Sequence, residues 1–149
     1  MSQTLKQRIQ EDVKQAMRNK DASRLQALRL ITAAIKQREV DERIDASDEQ
    51  VLEVLGRMLK QRRDSVHQYS QAGRADLAAA EQFEIDLIEG YLPPALGEAE
   101  LAALIEQAVA ESGASSARDM GKVMAVLKPR IQGRADMTAV SAKVKARLV

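Results

Sequence analysis

Residues suited to handling phosphate gather in the last third of the chain. Gly121-Lys122 pairs a glycine, whose bare backbone a phosphate can approach, with an ammonium group. A nucleotide-cradling loop also needs a glycine five positions before that pair and a Ser or Thr after it. Ser116 and Val123 stand there instead, so such a loop is not expected. Gly121 is expected to permit close helix packing, leaving Lys122 to reach solvent or a phosphate. Further on, Gly133-Arg134-Ala135-Asp136 precedes a helical stretch. Gly133 suits a turn and Asp136 a helix cap. Arg134 offers a planar fork suited to phosphate, beside the positive end of that helix.

Other chemistries find little support. Ser115-Ser116 faintly resembles an amidase serine pair, but that chemistry needs a lysine base and an oxyanion site on a large α/β scaffold. Ser116 is expected to cap a helix. His67 is the only histidine, and no carboxylate cluster at ligand spacing accompanies it, so no metal site is expected. Two acidic groups, Glu39-Asp41-Glu42 and Glu84-Asp86-Glu89, have the pattern of solvated helix faces rather than an acid–base pair. There is no cysteine, which excludes a thiol nucleophile, a thiolate metal site and a disulfide framework. No catalytic residue and no cofactor are expected.

Charge agrees with the phosphate motifs. Residues 118–149 hold eight basic residues against two acidic ones, while the remainder holds 15 basic against 20 acidic. A basic end on a mildly acidic body is a footprint for a polyanion; a solvated surface with a chance imbalance is the plain alternative. The candidate interface is Lys122, Lys128, Arg130, Arg134, Lys143 and Lys145. Tyr69, Phe83 and Tyr91 are scattered and lie outside the basic end, so bases have no stacking platform there.

Helices must position these groups. Apolar residues make up 45% of the chain and aromatics only 2%, so Leu, Ile, Val, Met and Ala must build the core, a palette rich in helix formers. Leu5, Ile9, Val13 and Met17 recur every fourth residue and predict a helix over Thr4 to Asn19. Asp21 and Ser23 can cap a second, with Leu25, Leu28, Ile31 and Ile35 on one face and Arg24, Arg29, Lys36 and Arg38 on the other. The charged run Glu39 to Arg43 is expected to fray into a loop. Ser47 and Gln50 form a capping box for a third helix, with Val51, Leu55, Met58, Leu59, Arg62, Val66 and Tyr69 inward and Gly73 at its close. A fourth runs from Ala75 to Gly90, with Leu77, Ala80, Phe83 or Glu84, Leu87 and Ile88 inward. Tyr91-Leu92-Pro93-Pro94 interrupts helix formation and predicts a domain junction. Glu98 to Ser112, a helix capped by Ser116 that Pro129 breaks near Lys128, and a last helix capped by Asp136 complete the chain.

The expected fold is therefore all-α. A hairpin or bundle of about four helices spans 1–92, and a compact three-helix domain spans 93–149. Met1 to Lys20 is charged throughout and has no signal-peptide core. No window reaches the ~18–20 apolar residues that span a bilayer. A cytoplasmic protein without membrane contact is expected.

The combination of motifs is similar to one family. Asp119-Met120-Gly121-Lys122-Val123-Met124, Pro129, Gly133-Arg134-Ala135-Asp136, Leu28-Arg29-Leu30-Ile31, Ala33-Ala34-Ile35-Lys36 and Glu89 through Leu92-Pro93 together resemble the GatB/YqeY pattern. The resemblance runs from about Leu5 to Leu148. Ala125, Met137 and Ser141 depart from it, which bears on local turns and packing. The resemblance implies kinship with the tail of the B subunit of the tRNA-dependent amidotransferase. That enzyme amidates Glu-tRNA or Asp-tRNA with glutamine as donor, and its tail contacts the tRNA elbow. Stand-alone members carry the label of carbon–nitrogen ligases with glutamine as amido-N-donor.

Three roles follow. The first is a tRNA-binding module acting through the basic end, mainly by electrostatics. The second is an accessory component beside amidotransferase subunits, without activity alone. The third is a protein–protein adaptor using the N-terminal helices.

Overall fold

The computed structural model describes residues 3–149, and among these it shows seven α-helices, a single turn of 3-10 helix and no strand. The chain divides into two compact units, Met1–Leu92 and Pro93–Val149.

The first unit contains α1 (Leu5–Arg18), α2 (Ala22–Glu42), α3 (Asp48–Gln71) and α4 (Ala75–Glu89). Local signals set most of their ends. Thr4 and Gln7 form a capping box at α1, and Ser47 and Gln50 form one at α3. The Asp21 carboxylate accepts from the Arg24 amide at the start of α2. After α3, Gly73 takes a left-handed φ of 72°, which glycine adopts without a Cβ penalty. Ile9, Leu28, Ile31, Val51, Leu55 and Ile88 are completely or almost completely buried at the centre. Burial of each large aliphatic side chain contributes about 1.5–3 kcal/mol.

Three expectations need correction here. Glu39 to Glu42 is helical, although three carboxylates at a helix C-terminus oppose its dipole. Partners offset that cost: Gln37 donates to Asp41 at 2.8 Å, and Arg38 pairs with Glu42 and with Glu53 of α3. Lys6 of α1 reaches Glu39 at 2.5 Å and Asp45 at 2.7 Å. The helix ends only at Arg43, which itself adopts a left-handed φ of 55°. Met17 is exposed and Ala16 fills its expected place, because α1 closes on α2 through the tight turn where the Asp21 amide donates to the Ala16 carbonyl. On α4, Ile85 is buried while Phe83 and Ala80 are exposed. Of Phe83 and Glu84, Glu84 is the one that faces inward: with Glu81 it meets Arg62 on the face toward α3. An apolar stripe alone could not locate that face, because carboxylates occupy part of it.

Tyr91 locks the end of this unit. Its hydroxyl donates to the Asp12 carboxylate of α1, and the Arg8 guanidinium lies 4.9 Å from its ring centroid while donating to the Gly90 carbonyl. Burial, and then the neighbouring carboxylate, push the Tyr91 phenol far above its ordinary value.

The second unit contains α5 (Glu98–Ser112), a 3-10 turn over Ala117–Asp119, α6 (Met120–Ile131) and α7 (Met137–Leu148). Its core joins Ile105 and Ala108 of α5, Val123, Leu127 and Ile131 of α6, and Val140, Val144 and Leu148 of α7. Gly113 ends α5 in the left-handed region. Ser116 does not cap α6: its side chain makes no capping bond, and the 3-10 turn intervenes. Asp119 instead turns back, its carboxylate accepting from the Ser115 amide at 3.0 Å. Pro129 does not break α6, which continues to Ile131. Pro129 and Ala125 both lie on the solvent side, where water can take the carbonyl bond that proline leaves unmade, and buried Ile131 anchors the final turn.

Candidate nucleic-acid interface

The basic residues of the second unit fall into two classes, and α5 decides which. Arg130 of α6 meets Glu111 of α5 at 2.5 Å. Arg147 of α7 makes two contacts with Glu106 of α5, at 2.5 and 3.0 Å. That pairing pulls the Glu106 carboxyl below its usual range. Arg134 donates through Nε to the Pro94 carbonyl at 3.1 Å and lies 3.8 Å from Glu100. The Leu96 amide in turn donates to the Arg134 carbonyl at 2.9 Å. Arg134 therefore ties the chain entering α5 to the turn before α7, where Gly133 has φ 74°. Asp136 caps α7 by accepting from the Thr138 amide. These arginines stabilise the unit first, and only part of each guanidinium faces solvent.

The lysines are placed differently. Lys122 is 71% exposed and its nearest carboxylate is Asp119 at 3.6 Å; an ion pair this open contributes little. Lys128 is exposed on α6 and engaged within the fold. Lys143 and Lys145 are exposed on α7, and among the described residues no carboxylate lies within ion-pair distance of either. Two residues advance about 200° around a helix, so Lys143 and Lys145 occupy opposite flanks of α7, as do Lys128 and Arg130 on α6. The six expected cations do not form one continuous face.

Two further corrections follow. Gly121 does not permit close helix packing: it is exposed, and a Cβ added there would meet nothing within 4 Å. It instead leaves the backbone of the first turn of α6 bare beside Lys122. The charge imbalance is also smaller in the folded unit than along the sequence. Helix α5 brings Glu98, Glu100, Glu106 and Glu111 and no basic residue. Residues 93–149 thus carry eight basic and six acidic residues, a surplus of two. Along the sequence the carboxylates of α5 precede the basic stretch, and only the fold sets them against the helices they meet.

No group of three or more metal-ligating side chains occurs among the described residues. No helix among them is long and apolar enough to cross a membrane. His67 is exposed on α3.

Comparison with known proteins accounts for nearly the whole chain. The family model described as Yqey-like protein matches residues 6–148. A similar protein from Pyrenophora tritici-repentis, altered inheritance of mitochondria protein 41, mitochondrial, is 31% identical over 141 residues. The match covers 93% of this chain and 77% of that protein. Proteins of the same name from Eremothecium gossypii and Saccharomyces cerevisiae (strain YJM789) are 35% and 34% identical, over 64% and 56% of this chain. The chain spans only 54% and 46% of those two proteins' lengths. With its motifs and a family match extending from one end of the helical array to the other, the chain belongs to the YqeY family.

Proposed function

We propose that this protein is a tRNA-binding module rather than a self-sufficient enzyme. In this reading residues 93–149 form a three-helix domain that meets the RNA backbone, and residues 1–92 form a four-helix domain that carries it. The observation that supports it most is the exposure of Lys143 and Lys145 without carboxylate partners, in a unit whose arginines are largely engaged with α5. An ammonium on a flexible stem, with no internal partner, loses little when it turns to a phosphate. Binding is then mainly electrostatic and weakly sequence-specific. Lys122 beside the bare first turn of α6 supplies a further contact.

Association with tRNA-dependent amide transfer is the setting that the family resemblance favours. The chain contains no cysteine, so hydrolysis of glutamine by a cysteine nucleophile would fall to a partner subunit, with this protein as an accessory. A cytosolic location remains our expectation, while the similar fungal proteins carry the word mitochondrial in their names. A filter-binding titration of bulk tRNA across a salt series tests the proposal: affinity that falls steadily with salt supports it, and no binding at low salt removes it. Robust glutaminase or ATPase turnover by the pure protein would overturn the accessory role.

A further inference from the structure

The first unit carries a second surface, independent of the basic helices. A shallow groove runs between α2 and α4 over α3, lined by Ala27, Leu30, Met58, Arg62, Glu84 and Leu87. It has no enclosed space for a small molecule. Leu30 is 40% exposed, and so is Phe83 at 45%, one helical turn before Leu87 on α4. These are large apolar side chains in a chain that has only one phenylalanine.

The charge beside this apolar strip is unbalanced. Helix α4 holds five carboxylates and no basic residue. Three have partners: Asp76 pairs with Arg74, Asp86 accepts from Gln82, and Glu89 pairs with Arg63. Glu81 and Glu84 must share Arg62, whose Nε lies 3.5 Å from one and 2.6 Å from the other. All three side chains are at least three-quarters buried. Oε2 of Glu81 is enclosed and accepts no hydrogen bond from any described residue. Burial pushes the Glu84 carboxyl up; Arg62 pulls it back, and Glu81 adds to the rise. Arg62 Nε is likewise enclosed without a hydrogen bond of good geometry, so the site is short of one positive charge rather than of a donor.

We propose that this face docks a basic amphipathic helix of a partner protein. Its apolar side chains would lie on Leu30, Phe83 and Leu87, and one lysine or arginine would reach the Glu81–Glu84 pair. Helix-in-groove recognition uses this combination of spaced apolar anchors and a flanking charge. RNA and anionic lipid are disfavoured because the surplus charge here is negative. The inference does not depend on the tRNA reading, since it concerns other residues and another ligand.

The test uses the full chain and a fluorescein-labelled Leu/Lys peptide of about 18 residues, five helical turns. Its leucines occupy one helical face; a scrambled peptide of equal composition is the control. Fluorescence anisotropy should show the patterned peptide binding at least tenfold tighter than the control, a difference of about 1.4 kcal/mol. Phe83→Ser and Leu30→Ser alter exposed positions, and far-UV circular dichroism would confirm their folding. Each should weaken binding about five- to tenfold, the range of a single anchor. Glu84→Gln separates function from structure: it should leave the melting temperature unchanged or higher while weakening the peptide about fivefold, since it removes a charge that burial disfavours. Equal binding of both peptides, or wild-type affinity in Phe83→Ser, would overturn the proposal. So would a wild-type dimer in sedimentation that Phe83→Ser dissolves, which would assign the face to a second copy.

Discussion

The salt dependence of tRNA binding reports how many cations the fold leaves available. If all six expected residues met phosphates, log affinity would fall with log salt at about −4 to −5, from roughly −0.7 to −0.9 per contact. The structure lowers that number. Arg130 is held by Glu111, and Arg134 is held by Pro94 and Glu100. Lys143 and Lys145 sit on opposite flanks of α7, so one straight phosphate chain reaches one of them. Two or three contacts remain, and the slope should be about −1.4 to −2.7. Raising salt from about 50 to 200 mM should then weaken binding roughly 7- to 40-fold rather than several hundred-fold. The assay is filter binding of bulk tRNA to the wild type, Lys143→Ala and Lys145→Ala. One of the two variants should flatten the slope by about 0.7–0.9, and the other should leave it unchanged. Glu111→Gln should steepen it by a similar amount by releasing Arg130. A wild-type slope steeper than about −4, or an equal loss in both lysine variants, would refute the partition of the cations.

Other outcomes can be checked on the same protein. Tyr91→Phe keeps the ring under Arg8 but removes the hydroxyl that donates to Asp12. Urea titration should show a loss of about 1.5–3 kcal/mol, as for a bond to a charged acceptor, and a loss under about 0.3 kcal/mol would contradict the lock. Gly121→Ala meets no neighbour and should gain about 0.5–1 kcal/mol in a thermal melt, because it removes a flexible residue from a helix. Hydrogen bonds from Lys6 hold the Glu39 and Asp45 carboxyls below their ordinary values. Their contribution is therefore fully present above the unfolded carboxyl range, about pH 4, and is lost as pH falls below it through the lowered folded values. Lys6→Met should show a shallower loss of urea midpoint than the wild type between pH 6 and 3; parallel curves would remove that assignment.

Much of the secondary structure was legible because its signals are local. The capping box at Ser47–Gln50, the Asp21 and Asp136 caps and the left-handed glycines at 73, 113 and 133 need only neighbouring residues to act; the box at Thr4–Gln7, equally local, lies where the stripe alone begins the helix one residue early. The groove on the first unit had a partial signal in the sequence. Arg62 fell in the apolar stripe of α3, and a buried charge requires a partner. Nothing local identified Glu81 and Glu84 as that partner, because they lie on the following helix.

The amino-acid order alone determined that this chain is helical, which residues start and stop most of its helices, and that its net positive charge falls near one end of the sequence. Those properties depend on contacts within a few residues. Tertiary structure decided three other things. It kept Glu39–Glu42 helical through Lys6 and Arg38. It turned Ile85 rather than Phe83 into the core. It laid the carboxylates of α5 against the arginines of α6 and α7, reducing a strongly basic segment to a mildly basic unit with a few available lysines. Each depends on charge or apolar surface brought together from distant positions, and only the packed chain places those groups within reach of one another.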